Sequence, residues 1–139
     1  MWTTLIALLF CFAPPPAQTD TYYVTFLRPA PDPKPLPKEE AERIQTAHMA
    51  NIMSMAEKGI LVSAGPFGDA KRTISGIFIM KANSLDEAAA LSAQDPTVIE
   101  HRNTVDTHSW SGPKGIGAEY ARLHKEHPET PENMGQHPL

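Results

Sequence analysis

Short apolar blocks, each closed by a recognisable stop, divide the chain into elements. Thr21 to Arg28, TYYVTFLR, is dense in aromatic and β-branched residues and predicts a strand. Lys38 to Lys58 carries apolar residues at helical spacing. Ala41, Ile44, Ile52 and Met55 fall within ~80° of one another at about 100° per residue. Glu39, Glu40 and Glu42 crowd the first turns, where the helix dipole favours negative charge, and Gly59 is placed to end the helix. Ile60 to Pro66 predicts a second strand and Thr73 to Lys81 a third, with Gly68-Asp69-Ala70-Lys71 turning between them. Ser84-Leu85-Asp86-Glu87 reads as a capping box that opens a second helix, running to Gln94. Arg102 to Trp110 predicts a fourth strand.

The order β-α-β-β-α-β is the ferredoxin-like arrangement, an α+β fold in which a four-stranded antiparallel sheet carries both helices on one face. The first strand is apolar on both faces, with Tyr22, Val24 and Phe26 on one and Tyr23 and Leu27 on the other. The third repeats this with Ile74, Phe78 and Met80 against Ile77 and Ile79. Such a sheet needs cover on both faces, and a second copy supplies it. A homodimer with the sheets face to face is therefore expected. Between the first strand and first helix, Pro29, Pro31, Pro33, Pro35 and Pro37 alternate. They exclude helix and inner strand and predict a stiff arm of about 25 Å. It reads as a linker or as a flap over a site or a partner subunit. Beyond Trp110, Glu119 to His127 predicts a short helix and Pro128 to Leu139 a disordered tail.

Composition changes this picture at the N-terminus. The chain has 139 residues, enough for one domain, with a net charge of −4 and no basic run. That argues against a nucleic-acid or anionic-membrane surface, both of which draw on clustered Lys and Arg. Trp2 to Ala13 is apolar and is followed by Pro14-Pro15-Pro16-Ala17-Gln18. It is shorter than the roughly 20 residues a membrane span needs. Its length suits the core of a secretory signal, although no Lys or Arg precedes it. The expected division is a signal peptide over 1–19, a domain over 20–111 and an extension over 112–139, with cleavage after Ala17 and an exported product. Cys11 is the only cysteine. The mature protein would hold no disulfide, thiolate metal site or cysteine nucleophile.

The chemistry centres on His48, which falls inside the apolar arc of the first helix. A charged imidazole there is disfavoured by desolvation, and a neutral one needs a partner for its N–H. It is either a core histidine bonded to a carbonyl or a functional ring held by a carboxylate. Asp69 sits in a turn, Asp86 and Glu87 at a helix start, and Asp106 shares a strand face with His108. Asp95 precedes Pro96, and on spacing alone it reads first as the N-cap of a helical turn with proline at N1. Paired with a histidine it would instead fix the ring's tautomer for general-base work. His101, His108, His124, His127 and His137 make no recognised ligand spacing, so no metal is expected. No phosphate-binding glycine loop or GxSxG elbow is present, and no cofactor is expected.

Taken together, four features resemble the YCII-related (YciI-like) family over residues 21 to 111. They are His48, the stretch EKGILVSAGPFGD, the stretch GIFIMKANSLDEAAALSAQDP and the closing Trp110. The resemblance implies a dimeric α+β barrel with a His–Asp pair at its active site, here His48 and Asp95. Gly65 and Pro66 would border the same cleft. Among relatives, the best understood activity is dehydrochlorination of a chlorinated hydroxyhydroquinone. The expectation is a cofactor-free lyase or isomerase-type enzyme acting on a small aromatic, hydroxylated compound. A non-catalytic exported ligand-binding or stress-associated protein is the alternative, and a metal-dependent oxygenase ranks third. The export-like N-terminus, the proline arm and the His-bearing tail depart from the family pattern.

Overall fold

The computed structural model describes residues 18–69 and 71–126. The export-like segment, Cys11, His127, His137 and the Pro128–Leu139 tail lie outside the described residues. The elements are β1 (Thr19–Pro29), α1 (Lys38–Glu57), β2 (Leu61–Pro66), β3 (Gly76–Met80), α2 (Leu85–Ala93), α3 (Pro96–Ile99), β4 (Asn103–Pro113) and α4 (Ala118–Glu126). The sheet order is β2-β3-β1-β4 and every neighbouring pair is antiparallel. This is the α+β, ferredoxin-like arrangement expected from the sequence, with α1 and α2 on one face. Among the described residues, no helix is long and apolar enough to cross a membrane.

Register assigns the two faces. Phe78 stands opposite Thr25 on β1 and Ala64 on β2, and Met80 stands opposite Tyr23 and Leu61. These positions face the helices, and Leu27, Ile52, Met55, Leu61, Ala64, Phe78, Met80 and Ala88 form the core there. On the other face Phe26 pairs with Ile77 and Val24 with Ile79. All four are half-buried. Tyr22 is fully buried on that face, its ring 5.9 Å from Trp110 and its hydroxyl donating to the Pro113 carbonyl.

Local chemistry explains the helix ends. α1 has acidic residues in its first turn and stops at Gly59, whose φ is +70°. Gly59 N–H reaches Ala56 O and Ile60 N–H reaches Met55 O, the paired bonds of a Schellman motif. At α2, Ser84 accepts from the Glu87 N–H as a capping box requires, while the Glu87 carboxylate takes the Asn83 N–H. Two expectations shift. β3 begins at Gly76, not Thr73, because Arg72 adopts a φ of +46° and the chain joins the ladder only where Gly76 meets Leu27. The buried stripe of α1 holds Ile44, Ile52 and Met55 as expected, but it does not include Ala41. Ala41 in the first turn is exposed, and Met49 packs against the core.

The proline arm runs from Ala30, which is buried, to the exposed Pro37. It is tied back at two points, where Ala30 N–H meets Arg102 O and Arg102 Nη1 meets Lys34 O. Beyond β4, Gly115 and Gly117 hold φ values of +87° and +82° and turn the chain into α4. A Cβ on Gly117 would collide with the Val62 carbonyl, whereas one on Gly115 would meet nothing. Gly115→Ala should therefore lose only the backbone term, about 1–2 kcal/mol. Gly117→Ala should lose clearly more, because a backbone atom of β2 must also yield. Thermal unfolding of the two variants side by side checks this. Equal losses would show that α4 is not seated on β2.

Candidate active site

His48 sits in the middle of α1 and Asp95 at the start of α3. The first residues of α3 explain how Asp95 is presented. Pro96 at N1 presets the helical φ and has no N–H to satisfy. Asp95 itself is extended, and its Oδ1 accepts the Thr97 N–H at 3.0 Å. It is thus a proper N-cap. The same carboxylate also reaches His48, whose Nδ1 lies 2.9 Å from Oδ1 and 2.8 Å from Oδ2. The cap and the hydrogen-bond partner of His48 are one residue.

Asp95 is 0% exposed. A buried carboxylate is tolerated only when its lone pairs are occupied. Besides Thr97 N–H and His48 Nδ1, it receives the Thr97 hydroxyl at 2.6 Å and the Asn51 amide at 3.0 Å. Burial pushes the Asp95 carboxyl up. The hydrogen bond and charge of His48, then the bonds from Thr97 and Asn51, outweigh burial and hold it below the ordinary carboxylate range. An ionised carboxylate only accepts, so Nδ1 of His48 carries a hydrogen. In the neutral ring, Nε2 then keeps its lone pair. No hydrogen bond among the described residues engages Nε2. The side chain is 16% exposed, and the ring lies over Phe78 at 6.1 Å and 23°. This leaves an oriented imidazole with one free basic nitrogen on an apolar floor.

The other candidates fall elsewhere. Gly65 stands opposite Ile77, on the sheet face away from the helices, and Pro66 is exposed at the end of β2. Neither hydrogen-bonds to the His48–Asp95 pair among the described residues. Asp106 and His108 do pair, at 2.8 Å, with Arg28 on the same carboxylate at 3.2 Å. All three are about half exposed on β1 and β4. Among the described residues, no three His, Cys, Asp or Glu side chains converge as metal ligands. A cavity of about 290 Å³ lies between the end of α1, β2 and the start of α4, lined by Ala56, Leu61, Val62, Lys81, Ile116 and Ala121 among others. It holds none of the candidate residues. Asn51 and Thr97 are the parts of the site that the sequence reading missed. Asn51 could have been found as a polar residue one turn from His48 on the same helix.

The family model of the YCII-related domain matches residues 21–105. No curated protein matches the chain. Among solved structures, the chain is similar to 5-chloro-2-hydroxyhydroquinone dehydrochlorinase from Burkholderia phenoliruptrix AC1100, in complex with 2,5-dihydroxybenzoquinone. The identity is 19%, the match covers 64% of this chain and 92% of that one, and the TM-score is 0.48.

A depressed carboxyl in the folded state contributes stability above its unfolded pKa and loses it as pH falls through the folded value. Wild-type stability should therefore decline on acidification below pH ~4. Asp95→Asn should lack this part of the decline while being less stable at neutral pH. Denaturant unfolding at several pH values measures both. Parallel acid limbs for the two proteins would show that Asp95 is not held as a buried anion.

Proposed function

The chain belongs to the YCII-related family, and from that premise we propose that it is a small enzyme of the lyase or isomerase type. In this reading His48 is the general base and Asp95 its orienter. The observation that carries it is the 2.8 Å bond from His48 Nδ1 to a fully buried carboxylate, which leaves Nε2 free. The substrate class is a small aromatic, hydroxylated compound. Nε2 takes a proton from an acidic hydroxyl or carbon, and the freed electron pair forms a new double bond. In a lyase that pair expels a leaving group such as chloride as its anion. In an isomerase the proton returns at another carbon. Neither route consumes an electron acceptor. Gly65 and Pro66 enter the reading only through the family resemblance, as the border of the substrate cleft.

His48→Ala should lower kcat by about 10²–10⁴, the usual worth of a positioned base. Loss of the halide or appearance of the isomer, followed by chromatography, is the assay. Undiminished turnover in His48→Ala overturns the assignment. Ligand binding that weakens in His48→Ala, with no compound altered by the wild type, favours the exported binding protein instead.

The reading includes a homodimer. Val24, Phe26, Ile77 and Ile79 make an apolar band on the sheet face opposite α1 and α2. A second copy offers the same band and buries both. Sedimentation should return twice the chain mass for the wild type and a single chain for Phe26→Glu. A monomeric wild type would remove the dimer from the proposal.

A further inference from the structure

The hydrogen bonds around Asp95 do not stop at the carboxylate. The Thr97 hydroxyl that donates to Oδ1 also accepts from Asn103 Nδ2 at 3.0 Å. Asn103 Oδ1 in turn accepts from the Ser75 hydroxyl at 2.8 Å. Ser75 is fixed by its own N–H, which bonds the Leu27 carbonyl at 2.7 Å. The series therefore runs from the loop just before β3, across the first residue of β4, to the cap of α3 and on to α1.

Its direction is forced. Reversing it would aim a lone pair of Thr97 at an ionised carboxylate 2.6 Å away. With Asn103 Nδ2 occupying the acceptor side of Thr97, the single hydroxyl hydrogen is committed to Asp95. On the other oxygen, the Asn51 amide donates at 3.0 Å, and an amide nitrogen has only hydrogens to offer. The negative charge that holds His48 is thus shared with groups on both sides. Thr97 is buried, so water does not compete for these positions. Asp95 is the titratable side chain that contacts His48 from α3, and Asn51 lies on the ring's own helix. From the sheet the ring meets Phe78. Glu100, past the end of α3, is bound to Arg43 at the surface.

We propose that Thr97 and Asn51 are positioning residues that divide the Asp95 charge between the helix cap and the histidine. They thereby set how strongly the carboxylate draws on the His48 Nδ1 hydrogen. Asn103 and Ser75 hold the Thr97 hydroxyl in the donating orientation. The inference rests on the general-base reading for its catalytic meaning, but its geometry stands apart from any substrate.

The test is proton NMR of the His48 Nδ1–H resonance in the full chain, without ligand. In Thr97→Val the competing hydroxyl is gone while the β-branched shape is kept. The carboxylate should then pull harder on Nδ1–H, and the resonance should move downfield. Asn51→Leu should move it the same way, and this variant covers the case in which Thr97→Val fails to fold. Thr97→Ser restores the hydroxyl and should return the wild-type position. An upfield or broadened signal in both Thr97→Val and Asn51→Leu would mean that these residues merely brace the pair, and would overturn the proposal. With a substrate in hand, the acid limb of the kcat/KM profile should move to higher pH in the same variants. A downfield shift with no change in the profile would uphold the inference and overturn the assignment of His48 as base.

Discussion

The helix layer depends on keeping one carboxylate charged where no water reaches it. Asp95 is fully buried, and its donors come from α1, through His48 and Asn51, and from its own helix start, through Thr97. α1 must therefore meet α3 at the turn that carries both His48 and Asn51. Removing a single partner from such a pair costs about 3–5 kcal/mol, because the charge is left uncompensated. The surface ion pairs Arg43–Glu100 and Arg28–Asp106 carry no comparable penalty, since water replaces whatever is lost. Asp106 and His108 repeat the same residue types at the same 2.8 Å separation, yet both are about half exposed. Burial, more than composition, separates the two pairs.

A second polar seam performs the same service for α2. Ser92 on α2 bonds Thr25 on β1 at 2.8 Å, and Thr25 bonds Thr107 on β4 at 2.9 Å. Ser92 also caps back onto the Ala88 carbonyl. The apolar side chains around Phe78 and Met80 supply the driving force for packing, which has no direction of its own. The two seams add direction, since hydroxyls and carboxylates bond only at defined distances and angles. Each helix is thereby held at one rotation over the sheet.

Much of this was legible in the sequence. The element order, the capping box, the glycine stop after α1 and the face assignment of β1 follow from local patterns, and local patterns are what single sequences record. His48 stood out because a titratable ring on an apolar stripe is chemically odd. Asp95 was harder, since Asp-Pro at a helix start is fully explained by capping, and nothing local says that the cap also faces another helix. Thr97 was invisible for a related reason, and Asn51 offered only its place one turn from His48. Hydroxyls and amides serve so many surface purposes that only tertiary contact gives these two a meaning. Arg72 escaped because a non-glycine residue at positive φ leaves no compositional trace. The YCII resemblance recovered what spacing could not, by joining His48 and Asp95 across 47 positions.

The sheet order has a temporal side. β1 is the first strand made, and it lies between β3 and β4. Its pairing with β4 runs from Thr19 against Pro113 to Pro29 against Asn103, so its longest ladder is with the last strand synthesised. Closing that ladder means bringing together segments separated by most of the domain, and such non-local pairings slow folding. Tyr22 makes the point in one residue, since its hydroxyl partner, Pro113, lies at the far end of the ladder. During synthesis the opening strand waits, unpaired on one edge, until nearly the entire domain has emerged.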